Sequence, residues 1–141
     1  MRVVRVGPGD DDLVRRAGHL FDEPPRPEWV ARFLVTPGHH LLLALSDDGE
    51  PAGFVSGVEM VHPDKGVEML VYELGTDEAH RRRGVASALL AELAAIADDH
   101  GCHSVWVVTE PDNAAALATY RSAGYSAEPT MTLVRSRPAA P

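Results

Sequence analysis

Lysine and cysteine are nearly missing from this 141-residue chain: Lys65 and Cys102 are the only ones. A lone cysteine forms no internal disulfide, so the expected home is the reducing cytoplasm. No uninterrupted apolar run approaches the roughly 18 residues of a membrane-crossing helix. The N-terminus, Met-Arg-Val-Val-Arg, runs into Gly7-Pro8-Gly9-Asp10 without the apolar core of a signal peptide, so neither leader nor membrane anchor is expected. Cations are scarce as well. Thirteen Lys and Arg stand against 21 Asp and Glu, for a net charge of −8. That argues against a nucleic-acid binder relying on a broad basic surface. It suits a cationic partner, although the same balance also serves solubility.

What is present reads as one globular domain. The length suits a single domain, and 45% hydrophobic with 24% charged residues is ordinary for such a fold. A chain this long buries roughly 68% of its unfolded surface and needs no staples. No repeat or low-complexity linker divides it. We expect one domain over residues 1–137 and a short tail over 138–141.

Periodicity sets the order of elements. Arg2 to Val6 is β-prone. Asp10-Asp11-Asp12 then precede Leu13, Val14, Ala17, Leu20 and Phe21, whose spacing predicts a helix with acids at its N-terminal end. Glu23-Pro24-Pro25-Arg26-Pro27 breaks it, and a second short helix follows from Glu28 to Val35. Three strands come next, at His40–Ser46, Ala52–Val61 and Val67–Thr76, with turns around Asp48-Gly49 and Pro63 to Gly66. A long helix over Gly84–His100 carries the apolar stripe Val85, Leu89, Leu93 and Ile96, with Gly101 suited to its C-cap. Ser104–Thr109 is a buried-type strand, Asn113–Ala123 a helix, and Tyr125–Val134 is expected to add one or two strands. The sum is a mixed α/β (α+β) sheet with helices packed on it.

The sharpest local feature is Arg81-Arg82-Arg83-Gly84-Val85-Ala86, between a strand and the long helix. A helix N-terminus exposes unpaired N–H groups and the positive end of its dipole. Gly84 and Ala86 let an anion approach the backbone, and the arginines add charge, so the spot suits a pyrophosphate. It is neither a Walker A loop nor Gly-x-Gly-x-x-Gly. An exposed basic cap on an ordinary helix would read the same way.

Arg81, Gly84 and Ala86, spaced as Arg-x-x-Gly-x-Ala after a strand, resemble the acetyl-CoA loop of the GNAT N-acetyltransferase superfamily. Asn113 to Tyr125 is similar to that superfamily's Asn-x-x-Ala-x-x-x-Tyr-x-x-x-Gly-Phe segment, with Asn113, Ala116, Tyr120 and Gly124 in register and Tyr125 where Phe is common. Within the superfamily, Tyr72-Glu73-Leu74 followed by His80-Arg81-Arg82 resembles the small aminoglycoside 3-N-acetyltransferases. Glu73 replaces an Asp there, and Asn113 stands where those enzymes are acidic. The resemblance implies a mostly antiparallel twisted sheet of six to seven strands flanked by about four helices. It also implies acetyl-CoA as co-substrate, held by Leu74, Thr76, Arg81, Arg82, Arg83, Gly84, Val85, Ala86, Asn113, Ala116 and Tyr120, and a homodimer.

Acetylating an amine with a thioester requires a base for the amine, polarisation of the carbonyl and protonation of the leaving thiolate. Glu73 is the candidate base, acting directly or through a water. It is a carboxylate in the apolar run Met69, Leu70, Val71 and Leu74, where desolvation raises its pKa; a solvent-facing position on the strand is the alternative. By spacing, Tyr120 is a core tyrosine; the resemblance implies a general acid beside the sulfur. It likewise implies that the Leu74 and Thr76 N–H groups hold the pantetheine arm. A polycationic acceptor needs carboxylates, for which Asp22, Glu23, Glu73, Glu110 and Asp112 are candidates and Glu128 a more distant one.

The expected function is therefore acetyl transfer by direct attack in a ternary complex onto a primary amine of a small acceptor, an aminoglycoside first. A polyamine, an amino acid, a protein N-terminus or a lysine is the alternative acceptor, and a non-catalytic acyl-CoA-binding module the alternative class. No metal is expected: neither His39-His40 nor the group His100, Cys102 and His103 has the ligand spacing of a zinc site.

Overall fold

The computed structural model describes residues 1–138, so all but the first residue of the expected tail lies outside the described residues. Five strands form one sheet in the order β1-β2-β3-β4-β5: β1 (Arg2–Val6), β2 (His39–Leu45), β3 (Pro51–His62), β4 (Gly66–Thr76) and β5 (Cys102–Val107). The first four pair antiparallel as successive neighbours. β5 pairs parallel with β4, which requires a crossover, and helix α3 (Val85–Asp99) supplies it. Helices α1 (Asp11–Arg16) and α2 (Pro27–Val35), joined by a 3-10 turn over Gly18–Leu20, lie on one face of the sheet. Helix α3 and helix α4 (Ala114–Ser122) pack on the other.

Local chemistry explains the helix boundaries. Arg26 is extended (φ −96°, ψ 132°) because it precedes Pro27, and Pro27 sits at the first helical position, where its missing N–H costs nothing. Helix α3 buries Val85, Leu89, Leu90, Leu93, Ile96 and Ala97. It lies close on β3 because Gly53 and Gly57 face it: a Cβ on Gly53 would stand 2.6 Å from Val85 Cγ1, and one on Gly57 2.8 Å from Leu93 Cδ1. β2 is central and buried on both faces, hence its continuous run Leu41–Leu45.

The sheet has five strands rather than six to seven. Among the described residues, 125–138 contain no strand. Pro129 interrupts the expected ladder by removing a donor N–H. Beyond it Met131, Leu133 and Val134 are exposed. Tyr125 alone of this segment packs inward, its ring 5.6 Å from that of Tyr120.

Candidate active site

The site is made where β4 and β5 part. Their pairing ends at Val71 and Val107, so the last five residues of β4, Tyr72–Thr76, run on without β5 beside them. The backbone N–H groups of a strand point alternately to its two neighbours. Glu73 N–H turns toward β3, where the Ser56 hydroxyl accepts it at 3.2 Å, and Asp77 N–H donates to the Ala52 carbonyl on the same side at 2.9 Å. Leu74 and Thr76 therefore direct their N–H groups into the gap left by β5.

A β-bulge aims the carboxylate. Ser56 pairs with Glu73 while the next residue, Gly57, pairs with Val71, leaving Tyr72 as the extra residue. Met69 and Val71 are buried in the cluster against α3, and strict alternation would send Glu73 there too. The bulge turns Tyr72 and Glu73 together onto the opposite face, and Leu74 resumes packing toward α3. Glu73 is half-buried at a chamber of about 530 Å³ between α2 and the sheet, lined also by Phe21, Trp29, Val30, Phe33, Leu70 and Tyr72. Burial, and then the negative charge of Asp22, raise the Glu73 carboxyl above the ordinary glutamate value.

Of the expected acceptor-binding acids, the structure brings Asp22 within electrostatic reach of Glu73. Glu23, Glu110, Asp112 and Glu128 are exposed and are not among the side chains lining the chamber. Tyr120 on α4 is buried in the α3-side cluster, which includes Val71 and against which Leu74 and Val107 pack; burial raises its phenol above the ordinary tyrosine value. It thus lies on the opposite side of the sheet's open end from the chamber.

Arg81, Arg82 and Arg83 are exposed in the loop before α3. Two residues of this loop have left-handed backbones, Arg82 (φ 61°) and Gly84 (φ 78°), the latter forming the N-cap of α3. Such turns collect N–H groups into an anion-accepting concavity. Nothing lies within 4 Å of the place a Gly84 Cβ would occupy, so the approach to the helix end is open. Val85, by contrast, turns inward and is buried. Asn113 caps α4: its side-chain oxygen accepts from the Ala116 N–H at 3.1 Å.

Sequence separation concealed one polar cluster. His40, Glu59 and His100 converge from β2, β3 and the end of α3. Arg5 can only donate, so His40 Nδ1 accepts from it (2.9 Å) and His40 Nε2 must carry the proton it donates to Glu59 Oε2 at 3.0 Å. His100 Nδ1 donates to Glu59 Oε1 at 2.9 Å. Burial lowers His40 below the usual histidine value against the opposing pull of Glu59. Burial pushes Glu59 up, but its bonds to the two histidines outweigh this and leave it below the usual glutamate value. These hydrogen bonds tie the end of α3 to β2 and β3, so the cluster acts as a clasp holding the helix end to the sheet. Cys102 is not a ready nucleophile: burial, then the charges of Glu59 and Asp98, push its thiol up.

Among the described residues no helix is long and apolar enough to cross a membrane. The fold is that of several solved acetyltransferases. An aminoglycoside acetyltransferase from an uncultured soil metagenomic sample, in complex with sisomicin, superposes with a TM-score of 0.83 over 96% of this chain and 95% of its own, at 18% identity. AAC(6')-Iy, bound to the bisubstrate analogue CoA-S-monomethyl-acetylneamine, gives 0.82 over 96% and 97%, also at 18% identity. These aminoglycoside enzymes are not specifically of the 3-N type. In sequence, the chain is 37% identical over 95 residues to L-2,4-diaminobutyric acid acetyltransferase of Streptomyces anulatus, covering 67% of this chain and 51% of that protein. It is 34% identical over 104 residues to the N-alpha-acetyltransferase RimI of Mycobacterium tuberculosis, covering 74% and 63%. The chain thus spans about half to two-thirds of the length of these relatives. The acetyltransferase (GNAT) family pattern matches residues 10–125, a span holding the helix-capped loop, the bulged strand and both tyrosines of α4 and its exit, and the chain belongs to that family.

Proposed function

We propose that this protein transfers the acetyl group of acetyl-CoA to a primary amine, with residues 1–137 acting as one catalytic domain in the cytoplasm. The observation that carries this reading is the bulge at Tyr72, which sets the Glu73 carboxylate in the chamber beside the unpaired edge of β4. Glu73 takes a proton from the acceptor ammonium, directly or through a water; its raised pKa makes it a stronger base than an exposed glutamate. The freed amine attacks the thioester carbonyl carbon. Leu74 and Thr76 N–H groups, with no strand partner on that side, hold the pantetheine arm and polarise the carbonyl. As the C–N bond forms and the C–S bond breaks, Tyr120 gives its proton to the leaving thiolate, and the proton that the new amide nitrogen sheds restores the phenol through solvent. The loop Arg81, Arg82, Arg83, Gly84, Val85 and Ala86 receives the pyrophosphate: backbone N–H groups and arginine charge suit it, while the Val85 side chain serves the core. Asn113 and Ala116 act by fixing the start of α4, which carries Tyr120.

Glu73→Gln and Tyr120→Phe are each expected to lower turnover by roughly 10²–10⁴-fold with the acetyl-CoA KM nearly unchanged. Full activity in both would remove these roles. For the acceptor, an aminoglycoside is favoured by the structural neighbours that acetylate one, and a diamino acid by the diaminobutyrate enzyme. The chamber itself favours a different amine.

A further inference from the structure

The chamber beside Glu73 does not have the chemistry of a polycation site. Its walls are the aromatic rings of Phe21, Trp29, Phe33 and Tyr72 with aliphatic side chains from α2 and from β2, β3 and β4. Three titratable or charged side chains besides the Tyr72 phenol line it: Glu73, Arg26 and His39. Arg26 is a cation whose guanidinium pairs with Glu28 at 2.9 Å, and Asp22 adds one negative charge outside the lining. A polycationic sugar would bring several ammonium groups against mostly apolar walls with one carboxylate in the lining and Asp22 beside it to meet them, and burying an unpaired charge is costly. The other candidate acids, Glu23, Glu110 and Asp112, are exposed and not among the side chains lining the chamber.

One carboxylate at a mostly apolar chamber is instead complementary to one ammonium on an apolar body. Resting on the reading of Glu73 as the base, we propose that the acceptor is a monoamine: a single primary amine on an aromatic or branched aliphatic body, the nitrogen at Glu73 and the body between α2 and the sheet. A chamber of about 530 Å³ falls within the range that encloses a small organic ligand. Trp29 is 55% exposed and Tyr72 69%, a degree of exposure for large rings that a stacked acceptor body would reduce. Arg32, whose guanidinium carbon lies 5.9 Å from the Trp29 ring centre, backs that ring from outside the chamber.

The test measures CoA release with 2-phenylethylamine and isoamylamine against putrescine and sisomicin, together with amine binding followed by tryptophan fluorescence in the wild type and in Trp29→Ala. Because Trp29 is largely exposed, its truncation leaves folding intact, which a thermal melt checks. The expected result is that kcat/KM for the apolar monoamines exceeds that for either polycation by about 100-fold. Trp29→Ala should lower it about 10-fold or more, in the range that lost apolar pocket contacts discriminate, without changing the KM for acetyl-CoA. Equal or better use of putrescine or sisomicin overturns the monoamine proposal and leaves Glu73 as the base of a polyamine acetyltransferase. If no amine is turned over, the parent catalytic reading fails. In that case, Trp29-dependent saturable binding of 2-phenylethylamine would still support the monoamine chamber, and no binding would overturn it.

Discussion

Helix α3 offers a matched pair of glycines, one at each end, that separates anion binding from stability. Gly84 caps its N-terminus with φ 78°, and Gly101 follows its C-terminus with φ 73°. A Cβ would meet nothing within 4 Å at either place. Alanine therefore brings no clash at either end, only the left-handed backbone cost of about 1–2 kcal/mol. For a chain of this size that is a fall in Tm of roughly 3–8 °C, of similar size in the two variants. Function should divide them. At Gly84 the methyl group stands over the N–H groups that the phosphate approaches, and the strained backbone re-aims them. Losing one charge-assisted hydrogen bond of about 1.5 kcal/mol raises the acetyl-CoA KM roughly tenfold. Gly101 lies at the far end of the helix, with its N–H on the Asp98 carbonyl, and its variant should keep the wild-type KM. Thermal melts and steady-state kinetics with varied acetyl-CoA read both quantities. An unchanged KM in Gly84→Ala, or the same rise in both variants, would refute the assignment of this helix end to the pyrophosphate.

Three other perturbations test the site and its supports. Asp22→Asn removes one of the two causes that raise Glu73, so the acid limb of the kcat profile should move to lower pH; an unmoved limb means Asp22 does not act on the base. Glu73→Gln should raise Tm at neutral pH while lowering turnover roughly 10²–10⁴-fold. A carboxyl whose pKa is raised by folding stabilises the protein below its unfolded value, and that stability is lost as pH rises through the folded one; a lower Tm at pH 7 would contradict this. The clasp has the opposite sign. His40 and Glu59 are both depressed by folding from ordinary values of 6.5 and 4.5, so their contributions are complete above those values and fade as pH falls through the folded ones. Glu59→Gln should cost about 1–3 kcal/mol at pH 7 and flatten the acid side of a Tm-against-pH curve; an unchanged curve would show that the clasp does not hold α3.

Much of the fold was legible because its signals are local. Pro27 after Pro24-Pro25 starts α2, the apolar stripe from Val85 to Ile96 defines α3, and the Arg81–Ala86 segment falls at the start of α3 as its residue types suggest. Five of the strands read from the sequence are present within a residue or two of their expected bounds. The terminal strands were overread: Tyr125–Val134 has the composition of a strand, but a strand exists only where a neighbour accepts its hydrogen bonds, and Pro129 breaks that ladder. The clasp was invisible for the converse reason. His40, Glu59 and His100 are distant in sequence, and only the pairing of β2 with β3 and the length of α3 bring them together.

The sequence by itself determined the family of elements, the helix-capped loop and the presence of a carboxylate at position 73. The tertiary structure alone decided which face that carboxylate takes. Side chains on a regular strand alternate, and from Met69 and Val71 the rule sends Glu73 into the α3 core. One unpaired residue, Tyr72, reverses the rule, and a bulge depends on how β4 registers against β3 rather than on any local spacing. The same holds for the chamber, whose apolar walls come from α1, α2, the segment between them and three strands, which meet only in the folded protein.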